Sequence, residues 1–121
     1  MTKTFAEQVA EARARVGAVS ATEAAAMSEA VILDVREDNE VAAKRISGAF
    51  VHIPLGQLAG RATSDPTLAA AKGARQINVL CAVGGRAAIA AAALEDMGFS
   101  AKVIEGGIGA WDALGLPVEV G

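Results

Sequence analysis

The sequence predicts an α/β fold: three layers, α/β/α, around a mainly parallel central sheet of about five strands. Two observations lead there. Short runs rich in β-branched residues, Val31-Ile32-Leu33-Asp34-Val35 and Ile77-Asn78-Val79-Leu80, are almost continuously apolar, as strands buried on both faces are. Alanine-rich or amphipathic stretches of helical period separate them. The length of 121 residues suits one domain with a substantial core, residues 1–121, and is short for two.

In chain order, Thr4 to Val16 reads as an amphipathic helix. Phe5, Val9, Ala12 and Val16 share one face, while Glu7, Glu11 and Arg15 face away. Gly17 reads as its stop, so residues 1–17 form an N-terminal helical extension to a core spanning 18–121. Ser20 and Glu23 make a capping box before a short helix over Ala24 to Ala30. Val31 to Val35 is a central strand. Asp38 or Asn39 caps a helix running to about Lys44. Gly48 to Pro54 reads as a second strand, stopped by its proline. Ser64-Asp65-Pro66 starts a helix over Thr67 to Lys72. Ile77 to Leu80 is the third strand, and Ala87 to Met97 a helix capped by Gly98. Ala101 to Ile104 is the fourth strand. Gly106-Gly107 breaks it before a last helix, Ile108 to Leu114, closed by Gly115 and Pro117.

Composition excludes several classes. A net charge of −3 with no basic run speaks against nucleic acid, and three Phe and one Trp offer little for base stacking. No apolar run approaches the roughly 20 residues that cross a bilayer. Lys3, Glu7, Glu11, Arg13 and Arg15 interrupt any leader-like segment, so the expected location is cytoplasmic and no membrane partner is expected. One cysteine excludes an internal disulfide and a cysteine-rich zinc site. No His/Asp/Glu cluster suggests a metal, and no cofactor is expected.

That cysteine is the most informative residue. Cys81 ends a strand, Ala82-Val83-Gly84-Gly85 forms a loop, and Arg86 opens a helix. Such a layout aims backbone N–H groups and the positive helix end at the sulfur, where they stabilise an anion. Gly84 and Gly85 permit the positive φ that turns N–H groups inward. In a parallel sheet, ligands bind beyond the carboxyl ends of the strands. Cys81, Asp34 and Arg36 all fall on that edge. Arg86 is expected to bind an anionic substrate or Asp34, the alternative being a salt bridge to a surface carboxylate. Asp34 is expected to accept backbone N–H groups in a neighbouring turn, the alternative being that it orients the loop or Arg86. His52 reads as a turn residue, Trp111 as a packing anchor, and Glu105 as a brace for the Gly106-Gly107 turn.

The run Cys81-Ala82-Val83-Gly84-Gly85-Arg86 resembles the C-x-x-G-x-R loop of rhodanese-like sulfurtransferases. Leu33-Asp34-Val35-Arg36-Glu37 with Glu40 is similar to that family's L-D-V-R-E-x-x-E. Ile46-Ser47-Gly48-Ala49 and His52-Ile53-Pro54-Leu55 are similar to its H-I-P-G-A-x-x-I-P-L. Glu105-Gly106-Gly107, Trp111 and Gly115-Leu116-Pro117-Val118 are similar to its E-G-G-x-x-x-W-x-x-x-G-x-P-V. These stretches run from Leu33 to Val118, within a resemblance that covers Val19 to Val118. Arg45, Ser47 and Ala87 depart from the family's usual histidine, proline and serine.

The resemblance implies a sulfurtransferase. Cys81 would take a sulfane sulfur from thiosulfate or a persulfide and pass it to a thiophilic acceptor. Residues 82–86 would cradle the anion, with Asp34 and Arg36 in support, Arg36 holding its turn by pairing with Glu40 or Glu37. The implied partners are a small sulfur-containing substrate or a protein persulfide or thiol, with the chain a monomer or weak homodimer. A binding, regulatory or sulfur-carrier module without turnover is the alternative. The related phosphatases and arsenate reductases separate cysteine from arginine by five residues. Here four separate them, a tighter cradle that suits sulfur better than a phosphoryl group.

Overall fold

A computed structural model describes residues 2–121. The central sheet has five parallel strands in the order β1-β6-β5-β2-β4. These are β1 (Gly17–Val19), β2 (Val31–Asp34), β4 (Val51–His52), β5 (Ile77–Leu80) and β6 (Ala101–Ile104). A separate antiparallel ribbon joins β3 (Lys44–Ile46) to β7 (Val118–Val120). The helices are α1 (Phe5–Arg15), α2 (Ala21–Ala26), α3 (Asp38–Ala43), α4 (Leu58–Arg61), α5 (Pro66–Ala71), α6 (Gly85–Asp96) and α7 (Gly107–Ala113).

Side-chain alternation divides the interior into two cores, one on each face of the sheet. Leu33, Ile77, Val79, Ala101 and Val103 point to one face, where α1, α4, α5 and α6 supply Ala12, Leu58, Leu68 and Leu94. Leu80 and Ile104 point to the other, under Ala21 and Ala24 of α2 and Ile108 and Trp111 of α7. This is the three-layer architecture the alternating pattern predicts. Cys81 continues the parity of Ile77 and Val79 and belongs to the first core.

Local chemistry explains the helix ends. Thr4 and Ser20 accept from the Glu7 and Glu23 N–H groups, and each glutamate returns a bond to its cap residue. Those backbone bonds, ahead of the hydroxyl contacts, hold both carboxyls below the usual glutamate range. Asp65 caps α5 ahead of Pro66. The cap of α3 is Glu37 rather than Asp38 or Asn39, and the Glu40 carboxylate accepts from its N–H at 2.9 Å.

Several elements differ from expectation. The second helix ends at Ala26, four residues early. The strand expected over Gly48 to Pro54 shrinks to Val51–His52, because only Leu33 and Asp34 of β2 stand opposite it. The β3–β7 ribbon was not expected: its strands are three residues long, and beside the core-facing Ile46–Val118 pair Arg45 faces Glu119. Gly17 does more than stop α1, since it opens β1 against Lys102 of β6. Helix α1 then lies across α6, whose Ala87, Ala88, Ala90, Ala91 and Ala92 are buried. A helix this poor in side-chain bulk packs closely against two neighbours at once. None of the described helices is long and apolar enough to cross a membrane.

Candidate active site

Cys81 follows the last residue of β5, and its loop runs directly into α6. Gly84 caps that helix with φ +112°, a conformation that L side chains rarely adopt. In that conformation the Gly84 N–H turns inward and donates to Cys81 Sγ at 2.9 Å. Among the described residues it is the one N–H so placed, where the sequence suggests several. The sulfur is also less open than a strand-end thiol suggests. Cys81 is 1% exposed, whereas Val83 at the loop tip is 74% exposed. The loop lies over its own sulfur.

The backbone on the far side of the cysteine is fixed from α7. Ile108 N–H donates to the Cys81 carbonyl at 2.9 Å, and Gly109 N–H reaches the Ala82 carbonyl at 3.3 Å. This close approach dictates Gly107. A Cβ there would lie 2.2 Å from the Cys81 carbonyl oxygen, in a backbone with φ +57°. Gly106 is constrained by its own helix, because a Cβ would meet the Ala110 methyl at 2.5 Å. The turn needs no brace from Glu105, whose exposed side chain makes no hydrogen bond among the described residues.

The charged residues pair differently from the sequence expectation. Arg86 binds neither Asp34 nor an open space. It meets the Glu40 carboxylate at two points, Nη1–Oε1 at 2.6 Å and Nη2–Oε2 at 2.9 Å. Arg36 takes its carboxylate from Asp34, not from Glu40 or Glu37. Its Nε and Nη2 donate to Asp34 at 2.9–3.1 Å, and its backbone N–H donates to Asp34 Oδ1 at 3.0 Å. The Arg36 guanidinium also reaches the Lys44 carbonyl at 2.7 Å and the Glu40 carbonyl at 3.3 Å. Residues two apart in an extended turn face each other here, so the nearer carboxylate wins.

The two pairs sit in different surroundings. Asp34 and Arg36 are almost wholly buried, and every buried side-chain polar atom among the described residues has a partner. Glu40 and Arg86 keep 30% and 26% of their side chains exposed. The hydrogen bonds from Arg86 hold the Glu40 carboxyl at about 2, well below its ordinary 4.5. The same contact raises Arg86, with the nearby Cys81 adding a smaller push in the same direction.

Other residues fall around this frame. His52 Nε2 lies 2.7 Å from the Arg36 carbonyl oxygen, which ties the β4 end to the Asp34 turn. Trp111 is 4% exposed and donates to the Pro117 carbonyl at 2.9 Å, anchoring α7 as expected. Sequence reasoning did not single out Glu40 as the partner of Arg86. Its place in the L-D-V-R-E-x-x-E pattern is the available signal. It also missed Arg13 of α1, which reaches the loop from outside any motif: a Cβ on Gly84 would lie 2.9 Å from Arg13 Nη2.

Comparison with known proteins places the chain in a family. The family model of the rhodanese-like domain matches residues 20–114. A protein of unknown function from Rhodopseudomonas palustris, described as a possible tyrosine phosphatase, is 30% identical with a TM-score of 0.78, over 98% of this chain and 96% of its own. A rhodanese-related protein from Thermoplasma volcanium is 26% identical with a TM-score of 0.73, over 87% and 99%. A thiosulfate sulfurtransferase from Pseudomonas aeruginosa is 26% identical with a TM-score of 0.78, over 94% of this chain and 22% of that enzyme. No curated protein matches. The chain belongs to the rhodanese-like domain family.

Proposed function

We propose that this protein is a sulfurtransferase working through a persulfide on Cys81. The observation that carries the reading is the Gly84 N–H, aimed at Sγ from the N-terminus of a twelve-residue helix. A sulfur that must carry negative charge in both halves of a reaction needs fixed donors of this kind.

In the first half-reaction the Cys81 thiolate attacks the outer sulfur of a donor. An S–S bond forms to Cys81, and the donor's own S–S bond breaks. The electron pair leaves with the donor remnant, sulfite from thiosulfate or a thiolate from a persulfide. In the second half, an acceptor thiolate or cyanide attacks the terminal sulfur and Cys81 leaves as thiolate. No external oxidant or reductant enters. The Gly84 N–H stabilises the Cys81 thiolate that enters the first half and the one that leaves in the second, while the Cys81 and Ala82 carbonyls stay pinned to α7.

Arg86 acts in this scheme as the loop's anchor to α3, since Glu40 occupies its guanidinium. The loop's own arginine is therefore not free to meet both charges of a dianion such as thiosulfate. A low-molecular-weight or protein-bound persulfide is the better donor, and a cytoplasmic thiol the better acceptor. The test is the intact mass of the protein after incubation with thiosulfate or an organic persulfide. The expected result is a gain of one sulfur atom that cyanide reverses and Cys81→Ser abolishes. A chain that takes up no sulfur from either donor is instead a binding or regulatory module, and the reading fails.

A further inference from the structure

Helix α1 lies outside residues 20–114, the stretch that carries the family likeness, yet it reaches the cysteine loop. Val9 and Phe5 of α1 stand 3.7 and 3.8 Å from where a Gly85 Cβ would be. One turn further along, the Arg13 guanidinium stands over Gly84, the residue that donates to Sγ.

Both arginines of the sequence motifs, and the two other cations at α1 that form ion pairs, are occupied. Arg86 is held by Glu40, Arg36 by Asp34, Arg15 by Asp96 and Lys3 by Glu11. Arg13 is exposed and has neither a hydrogen bond nor an ion pair among the described residues. An unpaired guanidinium beside a sulfur site raises the local concentration of anions and offers several N–H donors to a carboxylate or sulfonate.

We propose that Arg13 is the specificity-determining cation of this site. It binds the negative charge that a sulfur donor or acceptor carries close to its reactive sulfur, and it selects compounds with one such charge over neutral ones. The inference rests on the sulfurtransferase reading for its substrates, but the charge selection itself belongs to the geometry around Cys81.

Alkylation of Cys81 tests that selection without any sulfur donor. The Cys81 thiolate displaces iodide from iodoacetate and iodoacetamide alike, and only iodoacetate carries a charge. The rates are compared in the wild type, Arg13→Ala and Arg13→Lys, with thermal midpoints recorded. The expected result is that Arg13→Ala slows iodoacetate about fivefold more than it slows iodoacetamide, and that Arg13→Lys retains most of the preference. Added salt should narrow the wild-type ratio and leave that of Arg13→Ala nearly flat. Equal slowing of both reagents, or no change in either, overturns the proposal. Absence of a Cys81 persulfide in the mass experiment would instead remove the sulfurtransferase reading while leaving the alkylation result intact.

Discussion

Glu40 and Arg86 form a two-point ion pair that ties the cysteine loop to helix α3, with both oxygens of the carboxylate engaged. The arginine that closes the loop is thereby committed to the protein itself. The pair also joins the segments that follow β2 and β5, two strands already adjacent in the sheet, beyond their last backbone contact at Val35 and Leu80. Loop position and α3 position are set together.

Acid should loosen this tie. Glu40 titrates at about 2 in the folded protein against an ordinary 4.5. A lowered carboxyl contributes stability that is fully present above the unfolded value and is lost as pH falls through the folded one. The contribution should therefore fade between about 4.5 and 2. Because about a third of each side chain is in contact with solvent, Glu40→Gln should cost about 1–2 kcal/mol at neutral pH, less than the shift alone suggests. Urea unfolding of wild type and Glu40→Gln across this range should show the difference closing as pH falls. A difference that stays constant would mean the pair has no part in acid sensitivity.

The buried pair should be costlier to break. Arg36→Met leaves the Asp34 carboxylate without its guanidinium in a fully buried place, and Asp34→Ala leaves the reverse. Each single change should lower stability by about 3–5 kcal/mol. Replacing both at once should cost less than either, since no buried charge then lacks a partner. A double-mutant cycle on urea midpoints measures this, and strictly additive losses would contradict it.

Gly107→Ala should injure the site from a distance. The added methyl would occupy the space of the Cys81 carbonyl, and alanine at φ +57° carries its own penalty of about 1–2 kcal/mol. The carbonyl must retreat, and with it the Ile108 hydrogen bond and the alignment of Sγ with Gly84. A loss of at least about 2 kcal/mol is expected, with slower persulfide formation on the protein that remains folded. Gly115→Ala is the control: it also has positive φ, but nothing lies within 4 Å of its Cβ. Equal effects at both positions would assign the loss to backbone conformation alone.

What the chain revealed as sequence follows from how local each feature is. Strands β2, β5 and β6 were legible because each is a short run buried on both faces. Asp65-Pro66 and the Ser20/Glu23 box were legible because a helix start is decided within four residues. The β3–β7 ribbon was not, since three-residue strands carrying Lys44, Arg45 and Glu119 acquire their identity only from a partner far along the chain. The same limit applied to the site. Cys81, its glycines and Arg86 lie in one six-residue run and could be read together. Both Arg36 and Arg86 had several acidic candidates within reach, and only the folded turn places Asp34 beside one and Glu40 beside the other. Arg13 was invisible for a stronger reason, because its approach to Gly84 depends on how α1 crosses α6.

Loop geometry bears directly on whether this protein hydrolyses phosphate esters, a question raised by the description of its Rhodopseudomonas palustris relative as a possible tyrosine phosphatase. A phosphoryl group presents three equatorial oxygens, each needing a donor. Here one N–H faces the sulfur, four residues separate Cys81 from Arg86, and the guanidinium that would complete the cradle is bound to Glu40. Freeing Arg86 would also leave the Glu40 carboxylate facing the incoming dianion. The wild type should therefore show no hydrolysis of p-nitrophenyl phosphate above that of Cys81→Ser, at any pH where the fold persists. Glu40→Gln should not create the activity, because the loop remains one residue short. Turnover that disappears with Cys81→Ser would show that the loop opens far enough to admit a tetrahedral group.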